Sequence, residues 1–143
     1  MLCIWLILAG LGNYLAYGIS YAWLQGDAKN GYVTIDPGPD GARHAAFFVR
    51  GHFIRHGSEG KSREVTRAQW NYSYIHSISI WPTHAAVLLA MLTLAQPHII
   101  ATMRDSPMRG PTFITVAATL IAVFFGAATI WFTLEFFAEL HKG

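Results

Sequence analysis

Two histidines, His84 and His98, lie in an uncharged, apolar stretch that runs from residue 82 to residue 103. They are 14 residues apart, so an α-helix would place both rings within roughly 40° of one face and about 21 Å apart along its axis. Neutral imidazole is an axial ligand of haem iron, and helical bundles build such sites from side chains on facing helices. The pair is therefore the candidate cofactor site, for haem b or a pigment shared with a partner subunit.

The spacing of His84 and His98 resembles that of the histidine pair on a helix of the diheme cytochrome b family. The resemblance implies ligation by two histidines, one from each of two helices. The other two apolar segments contain no histidine, so a partner chain or a second copy would have to supply the opposite ligand. The alternative is that both are interfacial histidines, bonded to backbone carbonyls or lipid headgroups.

A second polar group lies between the first two apolar segments and consists of His44, His52 and His56 with Asp36 and Asp40. Imidazole and carboxylate together suit zinc or copper. Their spacing matches no compact metal motif, so a solvated or partner-facing loop is the competing interpretation, and we predict no metal site.

A third polar group, Glu135, Glu139 and His141, follows the last apolar segment. A carboxylate within a membrane is a candidate proton relay, although glutamates at the end of a span are also easily solvated. The sequence shows no nucleophile–base pair and no glycine-rich phosphate loop. We therefore expect no catalysis by the chain on its own.

Three uncharged segments must position these residues. The chain has 143 residues, of which 53% are hydrophobic and 13% charged, and 1–26, 68–103 and 110–134 contain no charged side chain. Charge is costly at the bilayer centre, so this segregation predicts an all-α integral membrane protein with one membrane domain, 1–143. The predicted boundaries are a first span at 2–24, an extramembrane loop at 25–70, a second span at about 80–103, a turn at 104–111, a third span at 112–134 and a tail at 135–143.

The loop between the first two spans has the composition of a small β-sheet or hairpin. Tyr32 to Ile35 is a short strand candidate, and 45–55 reads as two short strands around Gly51. The run Phe47-Phe48-Val49 is too apolar to face water, so we expect it to pack on the membrane surface or on a partner.

Small residues recur every four positions in the first and third spans, a spacing that places them on one helical face where another backbone can approach. The predicted helix-packing residues are Gly12, Ala16, Ser20, Ala118, Ala122 and Gly126. Amphipathic aromatic residues precede the second span and predict a belt at the headgroup level. These are Trp70, Tyr72, Tyr74 and Trp81.

The distribution of Lys and Arg predicts the orientation. The loop 25–70 holds seven of them and the tail one, whereas the turn 104–111 holds two. The positive-inside rule then favours a cytoplasmic loop and C-terminus, in a bacterial inner membrane or another energy-converting membrane. The net charge of +2, with bases and acids interleaved, does not indicate a nucleic-acid partner.

Three functional hypotheses follow. The first is an accessory or structural subunit of a larger energy-converting complex, respiratory or photosynthetic, with other membrane subunits and the lipid bilayer as partners. The second is an electron-transfer subunit that binds haem b or a pigment through His84 and His98 at a subunit interface. A transporter or channel subunit ranks last, because the spans lack the buried charges that such pathways usually contain.

Overall fold

The computed structural model describes residues 1–37, 43–51 and 62–141. In this part of the chain, the elements in order are α1 (Leu2–Leu24), β1 (Asp27–Pro37), β2 (Arg43–Arg50), β3 (Ser62–Val65), α2 (Arg67–Thr102) and α3 (Gly110–Leu140). All three of these helices are long and apolar enough to cross a membrane, which confirms the predicted number. The segment between α1 and α2 forms a small three-stranded sheet, which joins the helices in the fold.

The first helix has the bounds of the first predicted span, and the second helix is longer than the second predicted span. α1 covers 2–24, whereas α2 begins at Arg67 rather than near residue 80. A capping box explains this start: the Gln69 amide donates to Thr66 Oγ1 (3.2 Å), and the Thr66 amide donates to Gln69 Oε1 (3.0 Å). With 36 residues, α2 is about 54 Å long, so part of it must extend beyond a hydrocarbon core of about 30 Å.

A left-handed residue ends α1 and turns the chain into the sheet. Gln25 has φ 60°, and the Gly26 amide donates to the Tyr21 carbonyl (3.0 Å), the bond pattern of a Schellman motif. At Gly26, a Cβ atom would collide with the backbone of Arg50. A glycine at this position therefore lets β1 start directly beside the end of β2.

The sheet has the strand order β1-β2-β3, and both pairs are antiparallel. Phe47 on β2 lies opposite Val33 on β1 and Val65 on β3. The strand predicted at Tyr32 to Ile35 is confirmed within the longer β1. β2 ends at Arg50, and the remainder of the strands predicted around Gly51 lies outside the described residues.

The chain divides into two compact units. We call Met1–Tyr14 with Ile80–Ile130 the span unit, and Leu15–Ser79 with Trp131–Gly143 the sheet unit. The sheet unit contains a hydrophobic core in which one face of the sheet packs on the first turns of α2 and the end of α3. Its buried members are Ala28, Phe47, Val49, Trp70, Tyr74 and Phe136.

Trp70 is the centre of this core and is 0% exposed. Its ring lies 5.0 Å from Tyr74, 5.6 Å from Phe47 and 6.0 Å from Phe136, measured between centroids. The expectation that the Phe47-Phe48-Val49 run packs on a membrane surface or partner is therefore wrong. Phe47 and Val49 are buried in the chain's own core, and Phe48 stacks on Tyr32 on the other face of the sheet.

The span unit is held together differently, by a few close approaches between helices. At Gly10 on α1, a Cβ atom would collide with the Val87 side chain of α2, so the glycine permits a close approach. Beside it, Asn13 Nδ2 donates to Thr83 Oγ1 over 2.8 Å. In the most apolar windows of α1, α2 and α3, only 6%, 6% and 0% of the residues are buried.

Candidate functional site

The His84 imidazole is held in the span unit by three neighbours. Nδ1 lies 3.2 Å from the Ile80 carbonyl oxygen, one turn earlier in α2. The ring stacks on Phe125 of α3, with centroids 5.6 Å apart and planes 8° apart. The Tyr14 ring of α1 meets it edge-on at 4.8 Å. Residues from all three helices therefore fix the orientation of this side chain.

The contact with Ile80 also sets the tautomer of His84. A carbonyl oxygen only accepts, so Nδ1 carries the proton and, in the neutral ring, Nε2 carries the lone pair. The side chain is exposed, and no described residue makes a hydrogen bond with Nε2. Histidines that bind metals commonly donate their other N–H to a backbone carbonyl. His84 is thus prepared to act as one metal ligand or to accept one hydrogen bond.

His98 has none of this support. It is exposed, and its imidazole makes no ring contact or hydrogen bond with any described residue. Among the described residues, only the backbone of His98 is hydrogen-bonded to a side chain: its carbonyl oxygen accepts from Thr102 Oγ1 over 2.9 Å. The two predicted cofactor residues thus differ, because only His84 has an orientation determined by its surroundings within the described chain.

The small-residue faces are open within the described chain. Nothing lies within 4 Å of the positions that Cβ atoms would take at Gly12 and Gly126. Ala16 and Ala122 are exposed, Ala118 is half-buried, and Ser20 Oγ lies 3.2 Å from the Tyr72 hydroxyl. These faces have room for another helix, and their role in helix packing stays a prediction. Sequence reasoning missed Gly10, because periodicity alone does not show which small residue faces a neighbour.

The four aromatic residues of the predicted belt are in three kinds of surroundings. Trp70 and Tyr74 are 0% and 1% exposed and face the core of the sheet unit. Tyr72 is 52% exposed, with its hydroxyl beside Ser20 Oγ. Trp81 is half-buried against Phe124 and Phe125 of α3. The run of aromatic residues therefore combines a folded core with an exposed surface.

The histidines and aspartates of the loop do not form a site in the described structure. His44 is exposed on β2, where it lies opposite Asp36 in the register of the sheet. His52, His56 and Asp40 lie outside the described residues. Within 1–37, 43–51 and 62–141, no group of three or more metal-binding side chains comes together.

Glu135 is paired with Lys29, a partner that local sequence reasoning missed. Glu135 Oε2 lies 3.0 Å from Lys29 Nζ, and their side chains are 40% and 23% exposed. The ammonium group also lies 4.7 Å from the centre of the Phe132 ring. Of the other two residues in this predicted group, Glu139 is half-buried, and His141 Nδ1 contacts the Phe137 carbonyl over 2.6 Å.

A buried carboxylate, Asp27, joins the end of α1 to the sheet. It is 4% exposed and accepts from the Tyr17 hydroxyl (2.6 Å) and from the Lys29 amide (2.5 Å). Next to it, the Ser73 hydroxyl oxygen of α2 accepts from the Ala28 amide over 3.1 Å. Buried charge is tolerated where hydrogen bonds satisfy it, so this junction has a structural role.

Comparison of the chain with protein-family models, with curated proteins and with solved structures finds no match.

Proposed function

We propose that this chain is an accessory, structural subunit of a larger membrane complex. The observation that carries the proposal is that almost no residue of its spans is fully buried: the buried share of their most apolar windows is 6%, 6% and 0%. Lipid covers apolar side chains as well as protein does, so helices in a bilayer associate through close packing and small residues. Gly12 and Gly126 have open space around them, so each offers a small-residue surface on which another helix can pack.

The proposal extends to the type of complex, which is an energy-converting one, respiratory or photosynthetic. Its support is the oriented His84 imidazole, a group suited to binding a redox cofactor held by a neighbouring subunit. The distribution of Lys and Arg supports a cytoplasmic sheet unit and C-terminus.

The test is co-purification from the native membrane in mild detergent, with three variants compared. Gly12→Ile and Gly126→Ile add bulk where the chain itself has room, so a loss of co-purifying subunits would report a contact with another chain. Gly18→Ile is the matched control, because Gly18 is also open but lies about 120° around α1 from Gly12.

We expect at least a tenfold loss of associated subunits for Gly12→Ile or Gly126→Ile, with none for Gly18→Ile. Recovery of the unaltered protein as a stable monomer without partners would reject the proposal.

The geometry of His84 favours a second candidate function, an electron-transfer subunit with a b-type haem or a pigment at a subunit interface. Such a site requires neutral imidazole with Nε2 available, and the bond from Nδ1 to Ile80 provides that tautomer. A reduced-minus-oxidised absorption spectrum of the gently purified complex tests it. His84→Ala should remove one absorption band, and His98→Ala shows whether the second histidine also binds a cofactor. A colourless complex would rule this function out.

A further inference from the structure

A groove runs along the outside of α3 near its end, in the sheet unit. Its volume is about 290 Å³, and it is lined by Trp131, Leu134, Glu135 and Ala138. The lining is apolar apart from Glu135, the residue paired with Lys29. The groove is thus an apolar surface that includes one member, Glu135, of a pair of opposite charges.

The position of charges along α3 places this groove at the edge of the membrane. Arg109 precedes the helix and Glu135 is the first charged residue within it, 26 residues later. That separation is about 39 Å along a helix, close to the thickness of a bilayer with its headgroups. Glu135 therefore lies at the headgroup level, and Trp131, one turn earlier, lies toward the hydrocarbon.

The charges at this end of the groove match a zwitterion rather than an anion. Glu135 Oε2 is buried against Lys29 Nζ, yet 40% of the Glu135 side chain remains exposed. A carboxylate accepts hydrogen bonds and an ammonium attracts phosphate, and 23% of the Lys29 side chain is exposed beside that of Glu135. A headgroup with one phosphate and one primary ammonium complements both members of the pair.

We propose that this groove binds phosphatidylethanolamine. One acyl chain lies along Trp131, Leu134 and Ala138, the ammonium donates to the Glu135 carboxylate, and the phosphate lies beside Lys29. Phosphatidylcholine has the same charges but no N–H to donate, and phosphatidylglycerol brings a net negative charge toward Glu135. This site requires a membrane and no particular protein complex, so its test is independent of the proposed function.

Native mass spectrometry of the full chain in mild detergent tests this site. The probes are phosphatidylethanolamine, phosphatidylcholine and phosphatidylglycerol with identical acyl chains, added one at a time. We expect phosphatidylethanolamine to be retained at least tenfold more than either of the other two. Equal retention of all three lipids, or preference for phosphatidylglycerol, would overturn the proposal.

Two variants separate the headgroup from the groove. Glu135→Gln removes the charge that binds the ammonium and should lower retention of phosphatidylethanolamine to that of phosphatidylcholine. Ala138→Trp keeps the ion pair but fills the groove, so it should abolish retention and remains informative if Glu135→Gln folds poorly. Glu64→Gln, at an exposed acid on β3, is the matched control and should change nothing. Full retention of phosphatidylethanolamine by both Glu135→Gln and Ala138→Trp would contradict the assignment.

Discussion

The sheet unit and the span unit are stabilised by different forces. The sheet unit encloses an aromatic core around Trp70 and satisfies its buried carboxylate, Asp27, with two hydrogen bonds. The span unit has long apolar helices in which almost no residue is fully buried, and they touch at few points, such as Gly10 against Val87. Water drives burial of apolar surface, whereas lipid does not. The sheet unit therefore covers its large apolar side chains with its own residues, while the span unit leaves most of its apolar side chains at least partly exposed.

The largest effect that this comparison predicts is at the centre of the sheet unit. Trp70→Ala removes a fully buried ring in contact with three other aromatic side chains, so it should lower the free energy of unfolding by about 3–5 kcal/mol. Denaturant titration in detergent, followed by near-ultraviolet circular dichroism, measures it. Tyr72→Ala, two residues away and exposed, should change the midpoint little; similar losses for both variants would show that no such core exists.

A glycine in the sheet tests whether its backbone is as closely packed as its core. At Gly31, a Cβ atom would collide with the Phe48 carbonyl of β2, whereas Gly18 on α1 has open space. Gly31→Ala should cost about 1–3 kcal/mol, because backbone cannot move aside as a side chain can. Gly18→Ala should be neutral or slightly stabilising, since alanine favours helix. Thermal melts by far-ultraviolet circular dichroism compare the two, and a neutral Gly31→Ala would contradict the close pairing of β1 and β2.

Substitution of Asp27, at the polar junction of the sheet unit, should lower the free energy of unfolding by a similar or smaller amount. Asp27→Ala leaves the Tyr17 hydroxyl and the Lys29 amide without their acceptor, which should cost about 1–3 kcal/mol. Asp27→Asn keeps an acceptor oxygen and should recover part of the loss. Unfolding free energies of both variants and of Tyr17→Phe give the coupling between the two side chains. Additive effects of Asp27→Ala and Tyr17→Phe in the double variant would exclude their direct bond.

The smallest effect is expected in the span unit, where neighbouring glycines differ. Gly10→Ile meets the Val87 side chain and should weaken the packing of α1 on α2 by about 1 kcal/mol. Gly12→Ile enters open space and should leave the isolated chain unchanged. Unfolding in mixtures of mild detergent and dodecyl sulfate measures both. A greater loss for Gly12→Ile than for Gly10→Ile would reverse the assignment of the two faces.

Local sequence patterns predict the helices and strands of this chain better than they predict the contacts between them. They indicate α1 at 2–24 and the strand around Tyr32, because absence of charge and alternation of residues are local properties. The start of α2 also has a local signal, the capping box from Thr66 to Gln69. For the candidate site, the prediction selects His84 but not its neighbours Tyr14 and Phe125, which come from other helices.

The sequence by itself determined that this chain has three segments able to cross a membrane. The reason is that the cost of charge in hydrocarbon acts on each segment separately. Only the tertiary structure decided that Trp70 and Tyr74 belong to a core while Tyr72 remains exposed, and that Lys29 is the partner of Glu135. These outcomes depend on which faces of distant elements meet, and no local pattern encodes the direction of a side chain toward a partner 106 residues away.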